Sequence, residues 1–515
     1  MEFAGFDGQF YCYEYSVTLR VKVMYLVYCF QFTVEDIPYW LSAYGVTREE
    51  PGKGLFEYIY TLEEQVPVVP QWANGAILYQ IFPDRFRRLQ AKDTGIPLRE
   101  WNETPGAEGF YGGNLQGIGH SAAYLKNLGI EAIYLNPVFR SPSNHRYNTQ
   151  DYQTVDPMLG TNDDLRELAD RLHHAGIRLI LDGVFNHCGL AFPPFQDVLE
   201  FGKQSRYRDW FYVDEYPVAR EPPTYETIGY YSAMPKLRQS NPEVQDNFLA
   251  IAEKWTRELS LDGWRLDVAD EMDPGFLRRL RQRLYAINPE ILILGEAWQE
   301  NTDMVFGGLA HGLINYPFYR TLCDYFALHS IDAAQFTHRI SRALLAYPAY
   351  ARDLNACMLE CHDTPRFLTL CAGNPEKLRC ALAFMLLYPG IDLIFYGLEA
   401  GITGGADPDC RKTMPWDHFN QDVFGMIKRF IRVRKKTRKF RAAIDARYLP
   451  LVVQRTAGGK KELWSIVNME EKRRMILPKG EYRTWFGGEG VAMEPSSDGL
   501  QLTLEPCGCI VIEKE

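Results

Sequence analysis

The chain of 515 residues is long enough for two or three domains, and an apolar share of 46% suffices for a large core. A net charge of −10 argues against nucleic acid or an anionic membrane as partner, and no apolar run reaches the roughly 18 residues of a membrane span. Eleven cysteines in no paired framework, behind a start (Met1-Glu2-Phe3-Ala4-Gly5) that lacks signal-peptide regions, point to reduced thiols in the cytoplasm.

Residues 1–70 read as a β-rich domain, with strands expected over Gln9–Lys22, Val23–Thr33 and Leu55–Tyr60. Val66-Pro67-Val68-Val69-Pro70 is a proline-stiffened linker. Short apolar runs then alternate with amphipathic helical stretches, the mark of βα units. Eight candidate strands are Ala76–Phe82, Ala132–Leu135, Arg178–Val184, Gly263–Val268, Ile291–Ala297, Gly312–Tyr316, Ala356–Cys361 and Ile391–Tyr396. Helices are expected between most of them, including Asp163–Ala175 (opened by Asp163 and Asp164 and closed by Gly176), Pro242–Leu259, Gly275–Ala286 and Pro375–Leu387. Eight such strands predict a (β/α)8 TIM barrel over 71–445. An open doubly wound sheet is the alternative, but no glycine-rich phosphate turn follows the first strand. Residues 188–240 show little helical period and read as an inserted subdomain after the third strand, on the face where barrel sites lie. Residues 446–515 read as a C-terminal β-sandwich, with strands at Leu463–Asn468, Arg474–Leu477, Tyr482–Trp485 and Leu500–Glu513.

Four of the strand ends carry polar clusters. They are Asp182 to His187, Arg265 with Asp267, Glu296 followed by Ala297 and Trp298, and Glu360 to Arg366. One such cluster is readily a structural ion pair; four at matching ends of one barrel point to a site. No histidine pair has the spacing of a zinc helix, and no serine or cysteine sits in a nucleophile elbow. The chemistry on offer is that of carboxylates. Arg265 two residues from Asp267 should keep that carboxylate ionised, whereas Glu296 has no cation near it in sequence.

These four segments resemble the main sequence blocks of the α-amylase family of retaining glycoside hydrolases, and the likeness covers about residues 70 to 515. The resemblance implies Asp267 as nucleophile, Glu296 as general acid/base and Asp363 as the third carboxylate. It also implies that Arg265 holds the nucleophile, while His187 and His362 donate to sugar hydroxyls; Trp298 is counted with the substrate-binding residues. Ser143-Asn144-His145-Arg146-Tyr147-Asn148-Thr149 is similar to the family's second-strand loop, so Tyr147 is expected to stack on the sugar. Met234-Pro235-Lys236-Leu237 and Gly404-Gly405-Ala406-Asp407-Pro408-Asp409-Cys410-Arg411 are similar to the neopullulanase, cyclomaltodextrinase and maltogenic amylase branch, in which Asp407 and Arg411 would clamp the next sugar.

The implied activity is cleavage of α-1,4 and also α-1,6 glucosidic bonds in maltooligosaccharides, cyclodextrins or pullulan. A 4-α-glucanotransferase with the same intermediate is the near alternative, and a non-catalytic carbohydrate-binding member is the distant one. Asn114, Asn148, Arg238, Asp270 and Leu398 depart from the branch pattern. Arg87-Arg88 stand where relatives carry a calcium loop, so no cofactor is expected to be required and no metal ligand is assigned; Asn186 matches a ligand of a second family calcium site. Residues 1–70 resemble only the later part of the branch's N-terminal sandwich. The expectation is therefore a monomer or an altered homo-oligomer instead of a dimer with capped clefts.

Overall fold

The computed structural model describes residues 1–6, 10–15, 17, 25–59, 68–90, 94–438, 441–445, 451–457 and 461–514. The eight expected strands all form: β1 (Ile77–Ile81), β2 (Ala132–Leu135), β3 (Arg178–Gly183), β4 (Gly263–Leu266), β5 (Leu292–Ala297), β6 (Gly312–Asn315), β7 (Ala356–Met358) and β8 (Ile391–Phe395). Each pairs in parallel with the next, and β8 closes on β1. Apart from Arg178 every strand residue is buried, because side chains fill the barrel and helices cover it. That double burial is why these strands read as apolar runs without alternation.

Helices Asn162–His174, Pro242–Glu258, Pro274–Tyr285 and Pro375–Met385 stand where helical period predicts them. The first is capped two residues earlier than expected. Thr161 is its N-cap, exchanging bonds with Asp164 in a capping box, and Gly176 follows its end with φ of 75°. The inserted segment holds a helix the sequence reading missed, Pro193–Phe201. Pro193 and Pro194 occupy its first turn, where no N–H is needed.

Two strands stop short of their expected ends. β4 ends at Leu266 and β7 at Met358, so Asp267 and the segment from Glu360 to Asp363 sit on loops at the barrel rim. There the backbone is free to turn each side chain toward the centre.

The C-terminal boundary falls before Arg441, because Arg441–Asp445 pairs with Leu451–Ala457 in the sandwich and not with the barrel. One sheet also contains Lys461–Asn468, Gly508–Lys514 and Tyr482–Gly487; the other contains Arg473–Leu477, Gly499–Leu504 and Val491–Ser496. Trp464, Ile466, Leu477, Leu502, Leu504, Ile510 and Ile512 fill the space between them. The single strand expected over Leu500–Glu513 is two strands in different sheets. Pro506 cannot donate to a ladder, and Cys507 adopts φ of 59° in the turn between them.

The N-terminal unit is also β-structure. Phe30–Val34, Ile37–Ser42 and Gly45–Thr47 form an antiparallel sheet, and Tyr25–Tyr28 pairs with Phe56–Ile59. Within the expected strand Gln9–Lys22 only Tyr11–Glu14 is a described strand; residues 18–24 and 60–67 lie outside the described residues. Glu2–Phe6 belongs elsewhere, since Gly5 pairs in parallel with Ile444 of the C-terminal sheet. Residues 1–70 are therefore not one continuous domain. Among the described residues no helix is long and apolar enough to cross a membrane.

Candidate active site

Register assembles the site. Asp182 on β3 lies opposite Arg265 on β4, which lies opposite Leu294 on β5. Glu296, two residues beyond Leu294, therefore points to the same face one step nearer the rim. Asp267 follows Arg265 by the same step. The Arg265 guanidinium, only 2% exposed, holds all three carboxylates: Nη1 donates to Asp267 Oδ1 at 2.6 Å and to Asp182 Oδ1 at 2.9 Å, and Nη2 meets Glu296 Oε2 at 2.7 Å. Asp267 and Glu296 are thus held a guanidinium's width apart.

This corrects one expectation. Arg265 was assigned to Asp267 alone, with Glu296 left without a cation; the guanidinium is shared three ways. The Asp267 carboxyl consequently is not held low. Burial pushes it well above the ordinary range, Arg265 opposes, and the neighbouring Glu296 and Asp182 push it up further. Burial likewise raises Asp182 and Asp363, opposed by Arg265 and Arg411 respectively.

The free oxygens of the pair are legible. Glu296 Oε2 also accepts from the Val268 backbone N–H at 3.0 Å, whereas Oε1 faces the Tyr316 hydroxyl at 3.2 Å. Val268 has φ of 48°, a strained left-handed conformation for a β-branched residue, costing on the order of 1–3 kcal/mol. That turn aims its N–H at Glu296. Asp267 Oδ2 lies 3.9 Å from His187 Nε2. Among the described residues, neither ring nitrogen of the buried His187 has a partner at good hydrogen-bond geometry.

On the opposite wall, Tyr147 donates to Asp182 Oδ2 at 3.0 Å and meets His362 Nε2 at 2.7 Å. Its ring is near-parallel to those of His362 and His145, with centroids 5.4 and 5.9 Å away. The Gln80 amide donates to His362 Nδ1 at 2.8 Å, which puts the His362 proton on Nε2, toward Tyr147 and Asp363. Arg411 is no surface cation: 7% exposed, it pairs with Asp363 at 3.1 Å and Asp407 at 2.9 Å, and its Nε donates to the His362 carbonyl. Arg85, ion-paired to Asp84, fixes the Arg411 carbonyl at 2.7 Å. Trp298 stacks on Tyr316 with centroids 4.2 Å apart and leaves its ring 46% exposed, an open flat face beside Glu296.

All ten expected site residues therefore gather at one end of the barrel. The sequence reading missed Tyr134, Asn136, Gln80, Tyr316 and Val268. Tyr134 and Asn136 stand two apart on the inward face of the β2 end, and Gln80 interrupts the apolar run of β1, so polar residues in buried strands were the available signal. Nothing local marks Val268.

The segment that stands where relatives carry a calcium loop does not fit calcium. Arg87 lies over Trp416 at 4.5 Å and Arg88 over Trp101 at 5.6 Å, while Asn114 caps the next helix and donates to the Leu89 carbonyl. Near Asn186, whose buried Oδ1 has no partner among the described residues, the carboxylate of Glu271 is already held by the Lys236 ammonium at 2.9 Å. One neutral amide oxygen beside a cation is far from the roughly six to eight oxygens calcium takes. Cys361, His362 and Asp363 bring ligand atoms within 4.8 Å, but both His362 nitrogens already have partners.

Three neutral histidines make the site acid-sensitive. Burial lowers His187 to about 4 and His145 to about 3, and holds His362 well below its usual value. Depressed folded values mean that stability is full at neutral pH and is lost as pH falls from about 6.5 toward the folded value, on the order of 3 kcal/mol for His187. The raised Asp182, Asp267 and Asp363 carboxyls act in the opposite sense over the same range, so the histidine contribution is read by difference: between pH 7 and pH 4, His187→Gln is expected to lose less melting temperature than the unaltered chain.

A barrel with paired carboxylates, a buried arginine between them and aromatic faces beside them defines a glycoside-cleaving enzyme. Residues 80–448 match the family described as alpha amylase, catalytic domain. The chain is 39% identical to a cyclomaltodextrinase of Geobacillus thermopakistaniensis (strain MAS1), over 87% of this chain and 78% of that protein. It is 36% identical to neopullulanase 2 of Thermoactinomyces vulgaris, over 98% and 88%. A solved cyclomaltodextrinase structure superposes with a TM-score of 0.87 at 32% identity, covering 96% of this chain and 87% of that one. The chain belongs to the α-amylase family. It is a glycoside hydrolase.

Proposed function

We propose that the chain hydrolyses α-1,4 and α-1,6 glucosidic bonds in short maltooligosaccharides, cyclodextrins or pullulan through a covalent glycosyl ester on Asp267. The Arg265 fork, which holds Asp267 and Glu296 side by side at adjacent strand ends, carries this reading. Glu296 Oε2 is occupied by Arg265 and Val268, so the acid proton sits on Oε1 and passes to the glycosidic oxygen. Asp267 Oδ1 is held by Arg265, so Oδ2 attacks the anomeric carbon. Glu296, now ionised, takes a proton from water, which opens the ester and restores the original configuration. Asp363, oriented by Arg411, binds sugar hydroxyls at the cleaved bond; Tyr147 and Trp298 offer ring faces; His187 and His362 donate to hydroxyls. Asp407 and Arg411 bound the neighbouring sugar. The substrate range rests on the names of the relatives.

A reducing-sugar assay across maltooligosaccharides, a cyclodextrin and pullulan, with products resolved, tests the reading. Release of maltose or glucose supports hydrolysis; longer transfer products without net reducing ends would make the enzyme a glucanotransferase; no change in any substrate would sink both.

Calcium is proposed to be dispensable. Rate and melting temperature are expected to be unchanged after exhaustive chelation, and a loss restored by calcium but not magnesium would refute this. The eleven free cysteines favour a reducing, cytoplasmic location. The assembly is proposed to be a monomer or a homo-oligomer unlike the capped dimer; light scattering that shows a dimer with strong cyclodextrin preference would overturn it.

A further inference from the structure

Residue Arg238 follows the Met234–Leu237 segment where the branch usually has asparagine, and the catalytic reading gives it no role. Its backbone N–H donates to the Trp210 carbonyl at 2.7 Å, which anchors it against the turn Arg208–Trp210. Its guanidinium lies over the Tyr212 ring at 4.7 Å and, among the described residues, makes no ion pair, while its Nε is buried against the protein and its terminal nitrogens are not. A half-buried permanent cation without a counter-charge is open to an anion that supplies one.

A cavity of about 350 Å³ opens there, lined by Lys203, Arg208, Asp209, Phe211, Val213, Tyr216 and Arg238. Three cations face it against a single carboxylate, and Arg208 already neutralises that carboxylate, with Nε 3.5 Å from Asp209 Oδ2. The Lys203 ammonium lies 5.6 Å from the Tyr216 ring and makes no ion pair among the described residues. This concentration of positive charge stands on a chain whose net charge is −10. Tyr216, Phe211 and Val213 supply an apolar wall beside the cations.

We propose that this pocket in the inserted segment binds a phosphoryl group, with Arg238 and Lys203 as its donors. Arginine's planar fork suits two phosphate oxygens, lysine adds a point charge, and the ring wall accepts an attached sugar. The phosphoryl group comes either as inorganic phosphate or as a hexose phosphate; the volume admits both.

Phosphorus-31 NMR titration of the full chain with inorganic phosphate and, separately, with glucose 1-phosphate tests it. Saturable binding is expected, with Arg238→Gln and Lys203→Gln each weakening it about ten-fold or more, and Arg206→Gln, outside the lining, leaving it unchanged. Equal affinity for the two probes assigns the site to the phosphoryl group alone; tighter binding of the hexose phosphate adds the ring wall. Melting curves check that the variants are folded, and Lys203→Gln gives the answer if Arg238→Gln is not. Absence of saturable binding of both probes, or binding by folded Arg238→Gln and Lys203→Gln equal to the unaltered chain, overturns the proposal.

Discussion

Asp267→Asn and Glu296→Gln are each expected to lower turnover on maltooligosaccharides by on the order of 10⁴-fold or more, because each removes a group that forms or breaks a bond to the substrate. Both substitutions are isosteric and keep a group that accepts from Arg265, so the fold should survive. The two losses should differ in kind. With an aryl glucoside whose leaving group needs no proton, the first step of Glu296→Gln should be restored, since only protonation has been lost. Asp267→Asn should stay inert on that substrate. Azide separates them further: it should open the ester in Glu296→Gln and give the α-glycosyl azide, whereas in Asp267→Asn it replaces the nucleophile and should give the β-azide. Unaltered enzyme should release products as the α-anomer, and a β-anomer seen first by NMR would falsify retention.

Replacing Arg265 by methionine is expected to be the most destabilising single change in the barrel. The guanidinium is 2% exposed and is the cation that Asp182, Asp267 and Glu296 share. Its removal leaves buried carboxylates uncompensated, a cost of about 3–5 kcal/mol. The cost should depend on pH with a definite sign. Asp182 and Asp267 already have raised folded values, so their favourable contribution is full below the unfolded value, about 3.9, and is lost as pH rises through the folded values. Without Arg265 those values climb further. The melting deficit of Arg265→Met should therefore be small near pH 5 and large near pH 8, as scanning calorimetry would show. A deficit independent of pH would mean that lost packing, not lost charge, is what the substitution costs. Arg265→Lys restores a charge but not the fork, and should recover stability while leaving activity low.

The sequence by itself determined the barrel and which of its strand ends carry the polar clusters. Runs such as Ile291–Leu294 are apolar because both faces of a barrel strand are buried, and each ends abruptly in polar residues because the strand reaches the rim there. Such local patterns survive in one dimension, as does the glycine that follows helix 162–174. What the sequence could not hold is whatever depends on register between distant segments. Asp182, Arg265 and Glu296 become one charge group only because three strands are level, and in that group the Asp267 carboxyl is pushed up, where Arg265 alone would hold it low. Val268 looks like one more strand residue until the ladder ends at Leu266 and the backbone turns over to reach Glu296. Prolines 193 and 194 read as breakers or as a first helical turn, depending on whether the following residues find a surface to pack on; Phe195 and Val198 are buried, and the helix forms. The parallel pairing of Gly5 with Ile444, across almost the whole chain, is the extreme case, since no local propensity specifies a partner that far away.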